Sequence, residues 1–102
     1  MEFRELQNKI LQTAVDYCKK YNIKMDEDFA LLKLYEETGE LAQAILIHRK
    51  QSRPEKHVPI DISKNEIAKE LADIIGVAIV IAHLLDIDIE QAIDKKWTHK
   101  KD

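Results

Sequence analysis

Helical patterning extends along most of this chain and is clearly broken in one segment. Both prolines, Pro54 and Pro59, lie between residues 52 and 62. Proline lacks a backbone N–H and its ring clashes with the preceding helical turn, so it is disfavoured inside a helix. No alternating apolar pattern of the kind that predicts a strand competes with the helices. The sequence therefore predicts an all-α protein with helices on either side of one loop.

Two helices are predicted before this loop. The second starts near Asp26, whose carboxylate suits the N-cap position, and reaches about Lys50. The first spans about residues 2–21, where apolar side chains recur every three or four positions and share one face: Phe3, Leu6, Ile10, Ala14, Tyr17 and Tyr21.

Two further helices are predicted after the loop. The third should start at Ser63, because Ser63 and Glu66 have the spacing of a capping box, and should continue to about Leu85. The fourth should start at Asp88, with Gln91 in the matching position. Together the four helices predict a bundle-like core.

The small size of the chain limits what this core can bury. At 102 residues we expect a single helical domain over residues 1–102. Residues 74–82 are apolar all round, which is typical of a helix buried on every side. So short a chain has little other protein to cover such a segment. We therefore expect the four-helix core to be completed by oligomerisation.

Charge and hydropathy exclude several classes of partner. A net charge of −3 argues against a general binder of nucleic acid polymers. The longest apolar run, residues 74–82, is far shorter than the roughly 20 residues of a membrane-spanning helix. The lone Cys18 excludes an intrachain disulfide and suits a reducing compartment. With no signal-peptide pattern at the charged N-terminus, we expect a cytoplasmic protein without a membrane partner.

Five acidic residues form two tight groups, one on the second helix and one on the third. Spacings of three and four residues place the members of each group on one side of their helix. The groups lie at the margins of the apolar stripes, so they should face inward, where burial of charge is costly without a partner. The residues are Glu36, Glu37 and Glu40 in the first group, and Glu70 and Asp73 in the second.

An inward-facing cluster of carboxylates predicts a bound cation. Oxygen ligands without histidine or thiolate favour a hard ion, Mg²⁺ or Mn²⁺. A di-iron bundle would place histidine three residues after Glu37 and Glu70, where this chain has Glu40 and Asp73. Either group alone also suits a solvated acidic face neutralised by Lys33 or Lys69. The two groups together favour the metal.

At these residues the sequence resembles the MazG-like nucleoside triphosphate pyrophosphohydrolases. This all-α superfamily also holds the dimeric dUTPases and phosphoribosyl-ATP pyrophosphohydrolase. The family signature is Glu-Glu-x-x-Glu, a spacer, and Glu-x-x-Asp, which here corresponds to residues 36–40 and 70–73. The resemblance covers about residues 28–97, and the spacer, residues 41–69, is at or slightly beyond the family's usual upper length.

The resemblance implies a reaction and assigns roles to the acidic residues. It implies a four-helix core assembled as a dimer or a dimer of dimers, with Mg²⁺ held by Glu37, Glu40, Glu70 and Asp73. It further implies that Glu36 orients or deprotonates a water that attacks the α-phosphorus of a nucleotide. The products would be a nucleoside monophosphate and pyrophosphate, and the substrates could include noncanonical nucleotides.

The remaining phosphate charge calls for lysine or arginine. Arg49 and Arg53 lie in a basic stretch that starts at the end of the second helix and continues to Lys56 and His57. Lys95 and Lys96 lie on the fourth helix, near where related enzymes often place a phosphate-binding lysine. A solvated basic surface is the alternative interpretation of both groups.

Two other functions stay open at this point. A phosphoribosyl-ATP pyrophosphohydrolase would use the same residues on a different substrate. A non-catalytic, metal-stabilised helical interaction module would bind the ion without turnover. The complete set of five acids argues against the module, because a scaffold could replace several of them by apolar residues and gain stability.

Overall fold

The computed structural model describes residues 1–98, and within them the chain is helical with no strand. Its four α-helices are α1 (Phe3–Lys20), α2 (Glu27–His48), α3 (Ile60–Leu84) and α4 (Ile89–Trp97). A single 3₁₀ turn, Pro54–Lys56, lies in the loop between α2 and α3. The all-α prediction and the number of helices are confirmed. No helix in residues 1–98 is long and apolar enough to cross a membrane.

The helices fall into two compact units. One unit is Met1–Leu31 together with Ala78–Asp102, and it holds α1, the first turn of α2, the last turns of α3, and α4. The other unit is Leu32–Val77, and it holds most of α2, the loop and the first part of α3. All five acidic residues of the predicted site belong to this second unit. The single domain over residues 1–102 stays a prediction.

Two predicted N-caps are present in the structure. Asp26 Oδ1 accepts a hydrogen bond of 2.9 Å from the backbone N–H of Phe29. Asp88 Oδ1 accepts one of 3.0 Å from the backbone N–H of Gln91. Each carboxylate satisfies a donor that has no partner inside its helix and lies at the positive end of the helix dipole. These caps fix where α2 and α4 begin.

Three helices end in the same way, and none uses glycine. The residue two positions beyond the last helical residue has a positive φ: 53° at Asn22, 58° at Lys50 and 55° at Asp86. After α2, Lys50 N–H donates to Ile47 O at 3.0 Å and Gln51 N–H donates to Leu46 O at 2.8 Å. This is the Schellman pattern, which satisfies the last carbonyls of the helix. The predicted ends lie within two residues of the observed ones.

The predicted start of α3 at Ser63 is wrong, since the helix begins one turn earlier. Ile60 is its first residue, and Ser63 N–H donates to Pro59 O at 3.0 Å. Proline is tolerated where a helix starts, because its missing N–H would have no intrahelical partner there. Ser63 therefore lies inside the first turns, and its side chain is committed to contacts other than a cap.

The Ser63 hydroxyl connects the two ends of the loop. Ser63 is 2% exposed, and its hydroxyl donates to Ile60 O at 3.0 Å. The same oxygen lies 2.7 Å from Nδ1 of His48, the last residue of α2. Because the single hydroxyl proton is used on Ile60, we infer that His48 Nδ1 carries a proton and donates it to Ser63. This bond holds the end of α2 against the start of α3.

The apolar segment 74–82 is covered by the single chain more fully than predicted. Ile79, Val80 and Ala82 are buried without a second copy. Leu71 and Ile75 are four residues apart on one face of α3, and Ile75 is 56% exposed. The expectation that one chain could not bury this segment is wrong for the three buried residues. The homodimer or homotetramer stays a prediction.

Replacing Ser63 by alanine should destabilise the protein. The change removes a buried hydroxyl and leaves the His48 N–H without its partner, so we expect the free energy of unfolding to fall by about 1–2 kcal/mol. Urea denaturation measures this. Thr13→Ala is the control, because Thr13 also donates its hydroxyl to a backbone carbonyl but is exposed. Equal effects of the two substitutions would mean that the bond to His48 contributes nothing.

Candidate metal centre

Four carboxylates from two helices meet in the second unit. α2 supplies Glu37 and Glu40, and α3 supplies Glu70 and Asp73. One carboxylate oxygen of each residue lies within 4.8 Å of one from every other residue of the four. The spacing of three residues within each pair places both members on the same face of a helix. The structure thus brings together all four residues that the sequence predicted as metal ligands.

Glu37 is the most buried member of this cluster. It is 8% exposed, and its Oε2 is buried without a hydrogen-bond partner. Burial, followed by the charges of Glu40 and Asp73, raises the pKa of Glu37 to about 7. Lys33 Nζ, 3.9 Å from Glu37 Oε1, lowers the pKa by a smaller amount. Without another cation, Glu37 is therefore held part-protonated near neutral pH.

Glu70 shows the same imbalance on the other helix. Its Oε2 is also buried without a hydrogen-bond partner. Desolvation by burial, followed by the charge of Glu40, raises its pKa above the usual value for glutamate. Two carboxyl oxygens on facing helices are thus removed from water with no compensating donor.

These properties fit a hard divalent cation. The cluster offers only carboxylate oxygens, which are the ligands that Mg²⁺ and Mn²⁺ prefer. The two unpartnered oxygens are Oε2 of Glu37 and Oε2 of Glu70. A cation bound to them would replace the missing hydrogen bonds and offset the burial and the repulsion that raise both pKa values.

Glu36, the predicted catalytic base, lies outside this group of four. It is an exposed residue, and its Oε1 is 2.5 Å from Lys33 Nζ. Lys33 reaches Glu36 and Glu37 together, so it links the exposed carboxylate to the buried one. The structure gives Glu36 a defined position next to the cluster, and its role as a base stays a prediction.

The predicted phosphate-binding residues are spread over both units. Arg49 and Arg53 are exposed in the second unit, and Arg53 Nε lies 3.4 Å from Glu55 Oε1. Lys95 and Lys96 are exposed in the last turn of α4, in the other unit. Contact of these four side chains with phosphate stays a prediction.

A cleft beside the carboxylates was not anticipated from the sequence. It has a volume of about 460 Å³ and is formed by α2, the loop and α3. Glu40 and Glu70 are shared between the cleft and the cluster. The loop contributes Lys56 and Val58, and the remaining lining residues are Gln43, Ala44, Ile47, Ile62, Ser63 and Glu66. Apolar residues on both sides of Pro59 were the sequence signal for it, and no cleft was predicted from them.

Gly39 lies between the glutamates of α2 and borders open space. A Cβ atom built at this position would meet nothing within 4 Å. Glycine inside a helix costs about 1 kcal/mol relative to alanine. Among the described residues, nothing occupies the space beside Gly39 that would require a glycine.

Comparison with known proteins places the chain in a family. Residues 25–101 match the family model described as the MazG nucleotide pyrophosphohydrolase domain. The chain belongs to the MazG family. This match includes all four clustered carboxylates and the loop between them, and it confirms the resemblance noted in the sequence. MazG domains are in general metal-dependent nucleotide pyrophosphohydrolases.

A curated relative extends over nearly the whole chain. The uncharacterized protein YpjD of Bacillus subtilis (strain 168) is 32% identical over 107 residues, which cover 92% of this chain and 93% of that protein. No solved structure matches the chain significantly.

The raised pKa of Glu37 makes the stability of the metal-free protein dependent on pH. The folded state binds this proton more tightly than the unfolded state, so the free energy of unfolding should fall as pH rises from about 4.5 to 7 and level off above. Over this pH range, ionisation of Glu37 should lower the free energy of unfolding by about 3 kcal/mol. Urea denaturation in EDTA across this range measures it.

Glu37→Gln is the matched variant, because glutamine keeps the shape and cannot ionise. Its stability should fall less steeply with pH than that of the wild type. Parallel pH profiles for the two proteins would contradict the assignment of the raised pKa to Glu37.

Proposed function

We propose that this MazG protein is a Mg²⁺-dependent nucleoside triphosphate pyrophosphohydrolase that releases a nucleoside monophosphate and pyrophosphate. The observation that carries the proposal is the cluster of four carboxylates within 4.8 Å, two of them with buried, unpartnered oxygens. Family membership supports nucleotide pyrophosphohydrolase activity in general. The proposal adds the ion, the triphosphate substrate and the bond that is cleaved.

In this proposal the four clustered carboxylates hold the ion. Glu37, Glu40, Glu70 and Asp73 bind Mg²⁺, with Mn²⁺ as the alternative. When bound, the ion neutralises phosphate charge and makes a nearby water more acidic. Binding requires Glu37 to lose the proton that it retains near neutral pH in the absence of metal.

Glu36 is the proposed base. Its carboxylate accepts a proton from the attacking water, while the ion pair with Lys33 restricts its rotation. The water oxygen forms a bond to the α-phosphorus, and the bond from this phosphorus to the bridging oxygen breaks. The electron pair leaves with pyrophosphate, roughly in line with the attack.

Positive side chains complete the proposed site. Arg49, Arg53, Lys95 and Lys96 would contact the phosphates of the nucleotide, and the enzyme would act in the cytoplasm as a homodimer or homotetramer. Removal of noncanonical nucleotides is a suitable role, because such an enzyme destroys the triphosphate before a polymerase can use it.

Turnover of nucleotides with Mg²⁺ and with EDTA tests the reaction. Each common nucleoside triphosphate and several modified ones are incubated with the protein, and the products are separated by ion-exchange chromatography. We expect monophosphate and pyrophosphate with Mg²⁺ and no product with EDTA. Glu37→Gln should lower kcat/KM by at least about 100-fold, since the loss of groups that only support a ligand already costs 10–100-fold.

Asp61→Asn is the control for this experiment. Asp61 is an exposed carboxylate on α3 outside the cluster, and its loss should leave turnover unchanged. Release of diphosphate and inorganic phosphate would contradict attack at the α-phosphorus. Binding of Mg²⁺ without turnover of any nucleotide would favour the interaction module instead.

A further inference from the structure

One lysine of the loop lines the cleft beside the carboxylates. Lys56 is the last residue of the 3₁₀ turn and is half-buried, whereas its neighbours Glu55 and His57 are exposed. It lines the same cleft as Glu40 and Glu70. Arg49 and Arg53, the basic residues of this region that the sequence favoured, are not among the lining residues. Of the basic residues in this region, the structure therefore places Lys56 at the cleft, whereas the sequence favoured Arg49 and Arg53.

Lys56 differs from two nearby basic side chains, Arg53 and Lys69, in having no partner within residues 1–98. Arg53 pairs with Glu55, and Lys69 Nζ lies 3.2 Å from Glu66 Oε1. Within residues 1–98 the Lys56 ammonium makes neither a hydrogen bond nor an ion pair. Glu66, the third acid of the cleft wall, is already neutralised by Lys69. The positive charge of Lys56 is thus available to an anion that enters the cleft.

The loop that carries Lys56 is fixed by several bonds. His48 and Ser63 join its two ends at 2.7 Å. Inside the loop, His57 Nε2 lies 3.3 Å from Ser52 O, and the backbone N–H of Lys56 donates to Arg53 O at 2.9 Å. A cation on a fixed loop loses less conformational entropy on binding than one on a freely moving segment.

The size and charge of the cleft suit a nucleotide. A volume of about 460 Å³ lies within the usual range for small-molecule sites. Apolar side chains such as Ile47 and Val58 share its wall with the carboxylates and with Lys56. Lysine recognises phosphate as a compact point charge with three donors, so it needs no fixed orientation of the phosphate chain.

We propose that Lys56 binds the phosphate chain of the substrate, its ammonium donating to a phosphate oxygen while the nucleotide is held at the four carboxylates. This inference rests on the proposed function. It assigns to the loop between α2 and α3 a direct part in substrate binding and gives a role to the unpaired lysine that lines the cleft. If Lys56 did not bind substrate, its positive charge would only offset the negative charges of Glu40 and Glu70.

Binding of a non-hydrolysable nucleotide tests the proposal. Calorimetry would measure the affinity of the wild type, Lys56→Gln, Lys56→Arg and Lys64→Gln for an α,β-imido nucleoside triphosphate with Mg²⁺, and for Mg²⁺ alone. Lys64 is an exposed lysine on α3 outside the cleft. We expect Lys56→Gln to weaken nucleotide binding about 10-fold, as for the loss of one charged hydrogen bond. Lys56→Arg should retain most of the affinity, and Lys64→Gln should match the wild type.

Nucleotide affinity measured beside Mg²⁺ affinity distinguishes the two roles of Lys56, because loss of a lysine that only offsets Glu40 and Glu70 would raise the affinity for Mg²⁺ without weakening nucleotide binding. A phosphate-binding Lys56 leaves the affinity for Mg²⁺ alone unchanged or slightly higher in Lys56→Gln, because a positive charge near the carboxylates is lost. Unchanged nucleotide affinity, or an equal loss of affinity for Mg²⁺ and for nucleotide, would overturn the proposal. So would a wild type that does not bind the analogue.

Turnover separates this inference from the proposed function. A wild type that binds the analogue through Lys56 but cleaves no triphosphate would contradict the reaction and support the binding role. A wild type that cleaves triphosphates with the same KM as Lys56→Gln would support the reaction and overturn the role of Lys56.

Discussion

Repulsion among four carboxylates is the constraint on which the second unit depends. Glu37, Glu40, Glu70 and Asp73 meet within 4.8 Å, and one oxygen each of Glu37 and Glu70 is buried away from water. In the metal-free protein, burial and then the charges of Glu40 and Asp73 favour protonation and raise the pKa of Glu37 to about 7. A protein optimised for stability alone would replace these residues by apolar ones. Keeping four acids together is therefore costly for stability, which indicates that the cluster is retained for function.

Two helices, α2 and α3, hold this unfavourable cluster in place. Each helix contributes two acids three residues apart, so the position of four side chains follows from the position of two helices. The Schellman turn at Lys50 ends α2, and the bond between His48 and Ser63 fixes the start of α3 against it. The same two features fix the loop that places Lys56 on the cleft wall. The carboxylate cluster and the cleft therefore share one structural frame, as the proposed binding of a nucleotide at both requires.

Local chemistry explains what the sequence predicted. The caps at Asp26 and Asp88 and the paired acids on α2 and α3 depend on residues within a few positions, so their spacing was sufficient. The start of α3 was mispredicted because the partner of Ser63, His48, is 15 residues away. The cleft and the unpaired Lys56 depend on how the loop folds back, which no spacing encodes. Burial of Ile79 and Val80 within one chain likewise depends on contacts that helical periodicity does not specify.

Calorimetric titration of the metal-free protein with Mg²⁺ at pH 7 tests the central claim most directly. It would be repeated in buffers of different ionisation enthalpy, so that the protons released on binding are counted. Because Glu37 has a pKa of about 7 and must be ionised to bind metal, we expect saturable binding with release of roughly half a proton from this group. No saturable binding at millimolar Mg²⁺, or binding without proton release, would contradict the assignment of the four carboxylates to a metal centre.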